Sequence, residues 1–461
     1  MVRKGKHSAS TVVLLAAALA PAGVSAAEVE AYGTTLAQYW NQSYPDLSKN
    51  RYVPITQFVG IDATGLGAAS SGGGAWSLHL FGWGKTDLAD QSSPGGKGEG
   101  DLTYGYLQYR APKANAEVKV GRFSAFGVAG LEPVDGLSAR ADLRGGFTVA
   151  VFGGKPVTFD PDGAPKAAER TFIAGGRLAW RASRFGEIGV SYLQDGTAPN
   201  PLAQPVLEDH SRKLLGGDLR ISPHASFEVS GRAIWNQKKS DLPADADKTS
   251  RLAGQDYAMS WKLTRSIQLS GNYIERNFKD YYAGTNLPTL FRQVETEKYK
   301  AHSGLLTFGI GSPFQVSADY RKARREGNGD SARSGVEVRI LPEQLKLKGG
   351  LSYHRITASD VPLTGGTVAF YSLSHSEARL WLLHDGGGYY LSLDALSYTF
   401  DDKNAPMLNG EPKSYLGVAS LGFRPGKGVT VSGDVSYGMN PLYKKEVRGL
   451  LRLDFRFGGA K

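Results

Sequence analysis

The sequence predicts an all-β chain: a single antiparallel transmembrane β-barrel of about 22 strands, within a range of about 18 to 24. Three observations predict it. Apolar and polar side chains alternate with period two, aromatic residues close each apolar face at a set distance from a tight turn, and tight turns alternate with longer polar connections.

The alternation is plainest in the second half. Phe227, Val229, Gly231, Ala233 and Trp235 interleave with Glu228, Ser230, Arg232, Ile234 and Asn236. Phe314 to Tyr320, Leu345 to Tyr353 and Val429 to Tyr437 read the same way, the interleaved positions of the Leu345 run being Lys346, Lys348, Gly350, Ser352 and His354. Successive strand side chains point to opposite faces, so each segment has one apolar and one hydrophilic surface.

The chain opens with Arg3, Lys4 and Lys6, then the apolar run Thr11 to Ala20 and the small residues Val24-Ser25-Ala26. This is the pattern of a cleaved signal peptide, which sets the expected division into a leader at 1–26 and a barrel at 27–461. The apolar run is too short to span a bilayer as a helix. With no cysteine, the chain has neither disulfides nor a covalent haem of its own.

Aromatic placement separates a membrane barrel from a soluble sandwich. Trp235, Tyr273, Tyr320, Tyr353 and Tyr437 each close an apolar face six or eight positions past its turn, and Phe457 closes the last strand. Eight residues tilted by about 40° climb about 20 Å, the height of a barrel's apolar band between its aromatic girdles.

Tight turns read at Pro112 to Asn115, Arg144-Gly145, Ser183-Arg184, Pro223-His224, Arg265-Ser266, Ser312-Pro313, Pro342-Glu343, Gly386-Gly387 and Pro425 to Lys427. Longer polar connections separate them, among them Lys239 to Ser250 and Gly284 to Glu295. Taking Glu28 to Trp40 as the first strand and Val447 to Phe457 as the last closes the alternation at about 22 strands, with both chain ends on the short-turn side. Ala68 to Gly74 and Phe126 to Asp135 can each be divided in more than one way.

The final strand resembles the aromatic-terminated last strand by which bacterial outer-membrane proteins are recognised for insertion, although Gly458 to Lys461 follow Phe457. Val118 to Phe123 leading into Pro133 to Arg140 is similar to a strand-loop-strand passage common in porins. Across the region after the leader the chain resembles porin-like channel proteins. It is also similar to the cysteine-free barrels that pair with multihaem cytochromes in electron conduits. The resemblance implies the bacterial outer membrane as location, with its lipid and the barrel-insertion machinery as partners. The function it implies is a porin-like channel for passive passage of small hydrophilic solutes. The alternative is a sheath holding a multihaem c-type cytochrome for electron transfer, and a third reading is an adhesin or receptor acting through its loops.

Charge bears on the lumen. Lys and Arg number 54 against 44 Asp and Glu, a net +10. Arg140, Arg232, Arg321, Arg339, Lys346, Lys348, Arg448, Arg452 and Arg456 fall on expected lumen positions. If unpaired, they favour anions. If paired with Asp319, Glu337, Asp434 and Asp454 across strands, they only keep the wall wet. The basic residues are dispersed and no nucleic-acid motif accompanies them, so no nucleic-acid partner is expected.

No catalytic, cofactor-binding or metal-binding residue is assigned, and the chain is not read as an enzyme. His79, His354 and His375 are isolated in sequence and read as wall residues. Asp241, Asp245 and Asp247 form an acidic loop without the Gly and Glu of a calcium loop. Gly95-Gly96-Lys97-Gly98 lacks a following helix, and Ser374-His375-Ser376 lacks a third partner for a nucleophile.

Overall fold

The computed structural model describes residues 28–43, 49–67, 74–88, 98–128, 130–157, 171–182, 185–196, 211–237, 252–282, 298–326, 329–359, 361–362, 368–370, 373–403, 405, 408–440 and 445–458. The expected leader, the acidic loop of Asp241, Asp245 and Asp247, the connection Gly284 to Glu295 and most of the Gly95 to Gly98 run lie outside the described residues.

The alternating segments form strands that pair edge to edge until the sheet meets itself. β1 (Glu28–Ser43) pairs on one side with β3 (Pro54–Leu66), and β2 (Lys49–Tyr52) continues that ladder beyond Val53. Each strand then pairs antiparallel with the next through β4 (Ala75–Asp87), β5 (Glu99–Ala111), β6 (Ala116–Gly127), β7 (Gly130–Asp142), β8 (Phe147–Pro156), β9 (Phe172–Ala182) and β10 (Gly186–Gly196). The series runs on through β11 (Ser211–His224), β12 (Phe227–Asn236), β13 (Leu252–Lys262), β14 (Ile267–Asn277), β15 (Lys298–Phe308), β16 (Phe314–Arg325), β17 (Gly329–Ile340) and β18 (Leu347–Ala358). A separate small hairpin, β19 (Val361–Pro362) and β20 (Val368–Phe370), stands outside the wall. The wall resumes with β21 (His375–Asp385), β22 (Tyr389–Phe400), β23 (Lys413–Gly426), β24 (Val429–Met439) and β25 (Lys445–Gly458).

β25 pairs along its whole length with the other edge of β1, from Glu30 opposite Gly458 to Ser43 opposite Lys445. The result is a closed antiparallel barrel of 22 strands. Closure pairs the first strand with the last, so the sheet has no free outer edge, the condition a β-structure must meet to cross lipid. With strands about 4.8 Å apart and tilted about 40°, such a barrel is about 44 Å across between backbones.

Contacts between strands that are not neighbours identify the inner face. Arg212 on β11 reaches Glu132 on β7, and Tyr32 on β1 reaches Tyr104 on β5. The opposite face carries Val120, Val151, Leu178, Val190, Val336, Leu351, Leu380, Leu393, Val435 and Leu451, all exposed. Leaving a large apolar side chain in water costs about 1.5–3 kcal/mol relative to burying it, so a continuous belt of them is a surface built for lipid.

Aromatic rings border this belt at both ends. Trp235, Tyr320, Tyr353 and Tyr437 are exposed at the end of the long connections, joined by Tyr192 and Tyr415. Tyr273 lies half-buried on the same face against Tyr257, its hydroxyl donating to Glu275 at 2.7 Å. Phe457 belongs to the opposite border with Phe147, Trp180, Trp261, Phe308, Phe314, Tyr389 and Phe423. That second border lies beside the tight turns, with Phe147, Phe314 and Tyr389 just after a turn and Trp180, Trp261, Phe308 and Phe423 just before one.

The tight turns use local chemistry. Pro112 opens one, and Asn115 closes it at φ 44° with its N–H donating to Pro112 O. The side chain of Asn115 also donates to Asp142 at 2.6 Å. Between β17 and β18, Lys346 takes φ 49° after a short helical turn at Glu343–Leu345. Lys346 therefore sits in a turn and not on the barrel wall, because β18 starts at Leu347, two residues later than the alternation suggests.

Candidate functional site

The lumen is narrowed by part of its own wall. β5 and β6 pair from Ala111 opposite Ala116 to Gly105 opposite Arg122, and then separate although both strands continue. β7 leaves β8 beyond Val134 opposite Pro156. The free end of the β6–β7 hairpin folds inward, and its tip residue Val128 occupies the space that a side chain at Gly216 on β11 would fill.

The departure depends on glycine. Gly121 on β6 has φ 123°, where a Cβ would collide with the Gly105 carbonyl of β5. Gly121, Gly136 and Gly154 lie side by side on β6, β7 and β8, so no side chain obstructs the bend. Arg122 pins it. Its guanidinium donates to Asp135 on β7 at 2.7 and 3.0 Å, and to Asp101 at 3.1 Å and the Leu102 carbonyl at 2.7 Å on β5.

An apolar bed holds the infolded end. Phe123, Ala125, Val128 and Val134 of the hairpin pack on Phe152, Ile173, Leu193, Leu214, Ile234 and Ala253 of β8 to β13. The expectation of a polar inner face fails on this arc, because a hairpin folded into the lumen needs a dry surface to rest on. Beside the bed, Arg212 is 3% exposed and Asp195 0%, joined by two hydrogen bonds of 2.9 and 3.0 Å. Glu132 of the hairpin approaches the same guanidinium at 3.3 Å, and the Tyr281 ring covers it at 4.9 Å. Tyr281 belongs to the short helix α1 (Phe278–Tyr282), whose Asp280 carbonyl accepts from the Asn236 side chain at 2.7 Å.

Below the tip lies a recess of about 430 Å³, bordered by Val128, Arg177, Asp218, Arg232, Asp256 and Asn272. Its charges are matched. Arg177 holds Asp218 and Glu187, while Asp256 lies between Arg232 and Arg276 at 2.7 Å from each.

The same pairing governs the basic residues singled out from the sequence. Arg140 approaches Asp142 at 3.4 Å, Arg232 pairs with Asp256, and Arg339 with Glu337 at 2.5 Å. Arg448 pairs with Glu446 at 2.6 Å under the Trp40 ring, Arg452 with Asp454 at 2.7 Å, and Arg456 with Glu30 across the closing seam. Arg321 instead donates to the Tyr299 hydroxyl at 2.7 Å. Neither Arg321 nor Lys348 has a carboxylate within ion-pair distance among the described residues.

The histidines are similarly engaged. His79 meets Asp62 at 2.6 Å and Ser77 at 3.0 Å, and buried His354 meets Asp319 at 2.8 Å. His375 Nδ1 meets the Leu373 carbonyl at 2.6 Å, its ring against Tyr398 and Phe400. The Ser374 hydroxyl accepts from Ala358 N–H at 2.9 Å and donates to Ala358 O at 3.2 Å, so it is tied to backbone. The sequence reading missed the hairpin and its buried Arg212 pair. A signal for them existed in Gly121, Gly136 and Gly154, and in the apolar residues Leu193, Leu214 and Ile234 at positions where the alternation calls for polar ones.

No protein-family model matches the chain, and no curated protein sequence does. Among solved structures, OccAB2 of Acinetobacter baumannii is 12% identical with a TM-score of 0.45, covering 94% of this chain and 98% of that one. OpdL of Pseudomonas aeruginosa is 10% identical with a TM-score of 0.45, covering 94% and 99%. The translocation pore of the P pilus usher PapC is 9% identical with a TM-score of 0.47, covering 94% and 100%. Likenesses this loose bear on neither solute nor partner. The closed 22-strand ladder is itself what makes the chain, in architecture, a porin-like β-barrel.

Proposed function

We propose that the barrel is a bacterial outer-membrane channel through which small hydrophilic solutes pass passively, with the β6–β7 hairpin setting the bore. The observation that carries this reading is the infolded hairpin. A wall about 44 Å across leaves a lumen far wider than a small solute needs, and a strand pair held inside by Arg122 and Arg212 narrows it. Ion pairs lining the rest of the wall keep it hydrated without a strong net field. The short turns then face the periplasm, and the last strand engages the insertion machinery. The basic groups available to favour anions are Arg321 and Lys348, since the other basic candidates on the wall lie beside carboxylates.

The alternative is the sheath around a multihaem cytochrome. The hairpin favours the pore, because it takes up space that such a partner would have to fill. Purification from native membranes without overexpression distinguishes them. Recovery of a haem-free barrel that conducts in planar bilayers and passes small sugars in liposome swelling supports the channel; stoichiometric co-purification with a haem-staining polypeptide refutes it.

A further inference from the structure

Six rings tile one patch of the inner wall on four neighbouring strands: Tyr32 on β1, Phe58 on β3, His79 and Phe81 on β4, and Tyr104 and Tyr106 on β5. Four of them, Tyr32, Phe58, Phe81 and Tyr104, are close to parallel, while Tyr106 is tilted by 45° from Tyr104 at 5.9 Å. Phe81 lies 6.1 Å from Tyr32 at 21°, 6.3 Å from Phe58 at 14° and 5.4 Å from Tyr104 at 17°, and His79 lies 4.9 Å from Tyr106 at 29°. The Tyr32 ring lies over Gly60, where a Cβ would collide with it, so it leans across β3 towards Phe81 on β4. Phe81 is nearly parallel to it, and Phe58 and Tyr104 to Phe81, so these four rings form one aligned aromatic surface.

Polar groups border it. The Tyr32 and Tyr104 hydroxyls are hydrogen-bonded to each other at 2.8 Å, and Asp62 meets His79 at one edge. Lys119 stands over Tyr106 at 5.4 Å beside Glu117, and Asp454 accepts from Thr34 at 2.6 Å. Tyr106 also packs against the cluster that holds the infolded hairpin, so the patch adjoins the narrowed part of the lumen.

We propose that this patch binds neutral oligosaccharides of linked pyranose units. A pyranose has C–H faces that cover aromatic rings, and its equatorial hydroxyls point outward in the plane of the sugar, where Asp62, Glu117, Asp454 and the tyrosine hydroxyls accept them. Consecutive rings let a linked chain move from one stacking position to the next without losing all of its contacts. The inference rests on the channel reading above and names its solute class.

The test is single-channel recording of the full barrel in planar bilayers, with a linear glucose hexamer as probe and polyethylene glycol of matching hydrodynamic size as the non-stacking control. The hexamer should interrupt the current with dwell times about tenfold longer than the glycol, equivalent to about 1.4 kcal/mol. Phe81→Ala and Tyr104→Ala should each remove most of that difference, and Tyr104→Phe less of it, with folding checked by the heat-dependent gel mobility of the barrel. Equal dwell times for hexamer and glycol in the unmodified protein would overturn the proposal, whatever the variants do. So would benzoate interrupting the current more strongly than the hexamer. A barrel that does not conduct would overturn the channel reading instead; hexamer binding is then read by calorimetry on the barrel in detergent, and no binding at millimolar sugar overturns the site.

Discussion

Arg177 on β9 reaches across β10 to hold both carboxylate oxygens of Asp218 on β11, at 2.6 and 3.1 Å, and passes over Gly189 to do so. A Cβ at Gly189 would stand 2.6 Å from an Arg177 nitrogen and an Asp218 oxygen. The ion pair thus occupies the place of a side chain on the intervening strand, fastening three strands beside the infolded hairpin.

Gly189→Leu should push that pair apart and lower barrel stability by about 1–3 kcal/mol, the cost of overpacking a close contact. Gly189→Ala should cost less, because the guanidinium and carboxylate are the far ends of flexible side chains. Urea unfolding followed by gel mobility measures both. A Gly189→Leu barrel as stable as the parent would show that the bridge does not depend on the glycine.

The hairpin should open when its pin is removed. Arg122→Ala deletes the contacts to Asp135, Asp101 and the Leu102 carbonyl. It should raise single-channel conductance and add flicker. Arg212→Ala should act in the same direction and also destabilise the barrel, because it breaks the buried pair with Asp195 and the contact to Glu132 of the hairpin. Unchanged conductance in both variants would mean that the hairpin does not set the bore.

The two faces of β24 should respond differently to charge. Val435 is exposed halfway along the strand, so Val435→Arg should cost about 2–4 kcal/mol near the bilayer midplane. Ser436→Arg, on the lumen side, should be nearly neutral by the same reasoning. Equal losses in folded yield and urea resistance would contradict the assignment of faces.

Acid should loosen one long connection. Asp401 lies just past the end of β22, and its hydrogen bonds with Arg355 hold its carboxyl below the usual range. A lowered folded-state pKa means the stabilisation is present above the unfolded value of about 3.9 and is lost as pH falls through the folded value. Both groups are exposed, so the global effect is screened and the change is local. Hydrogen-exchange protection at residues 408–412, measured relative to the intrinsic exchange rate at each pH, should therefore fall below about pH 4, and Asp401→Asn should flatten that response.

How far the sequence alone reached can be judged from particular residues. Val431, Val435 and Tyr437 against Ser432, Asp434 and Ser436 disclose the two faces of β24 because alternation is local, set by one strand's own geometry. The same holds for the strand count and for the aromatic border at Trp235 and Tyr353, which follow from turn positions and spacing along the chain. Pairing was not legible. Arg456 meets Glu30 across 426 residues, and Arg122 joins strands on both of its sides, so their partners follow from ladder register and closure. The infolding of β6–β7 belongs to the same class: Val118 and Val120 alternate alike whether the strand stays in the wall or leaves it. What turned it inward was the meeting of Gly121, Gly136 and Gly154 on adjacent strands with an apolar bed drawn from β8 to β13, and only the closed tertiary structure brings those residues together.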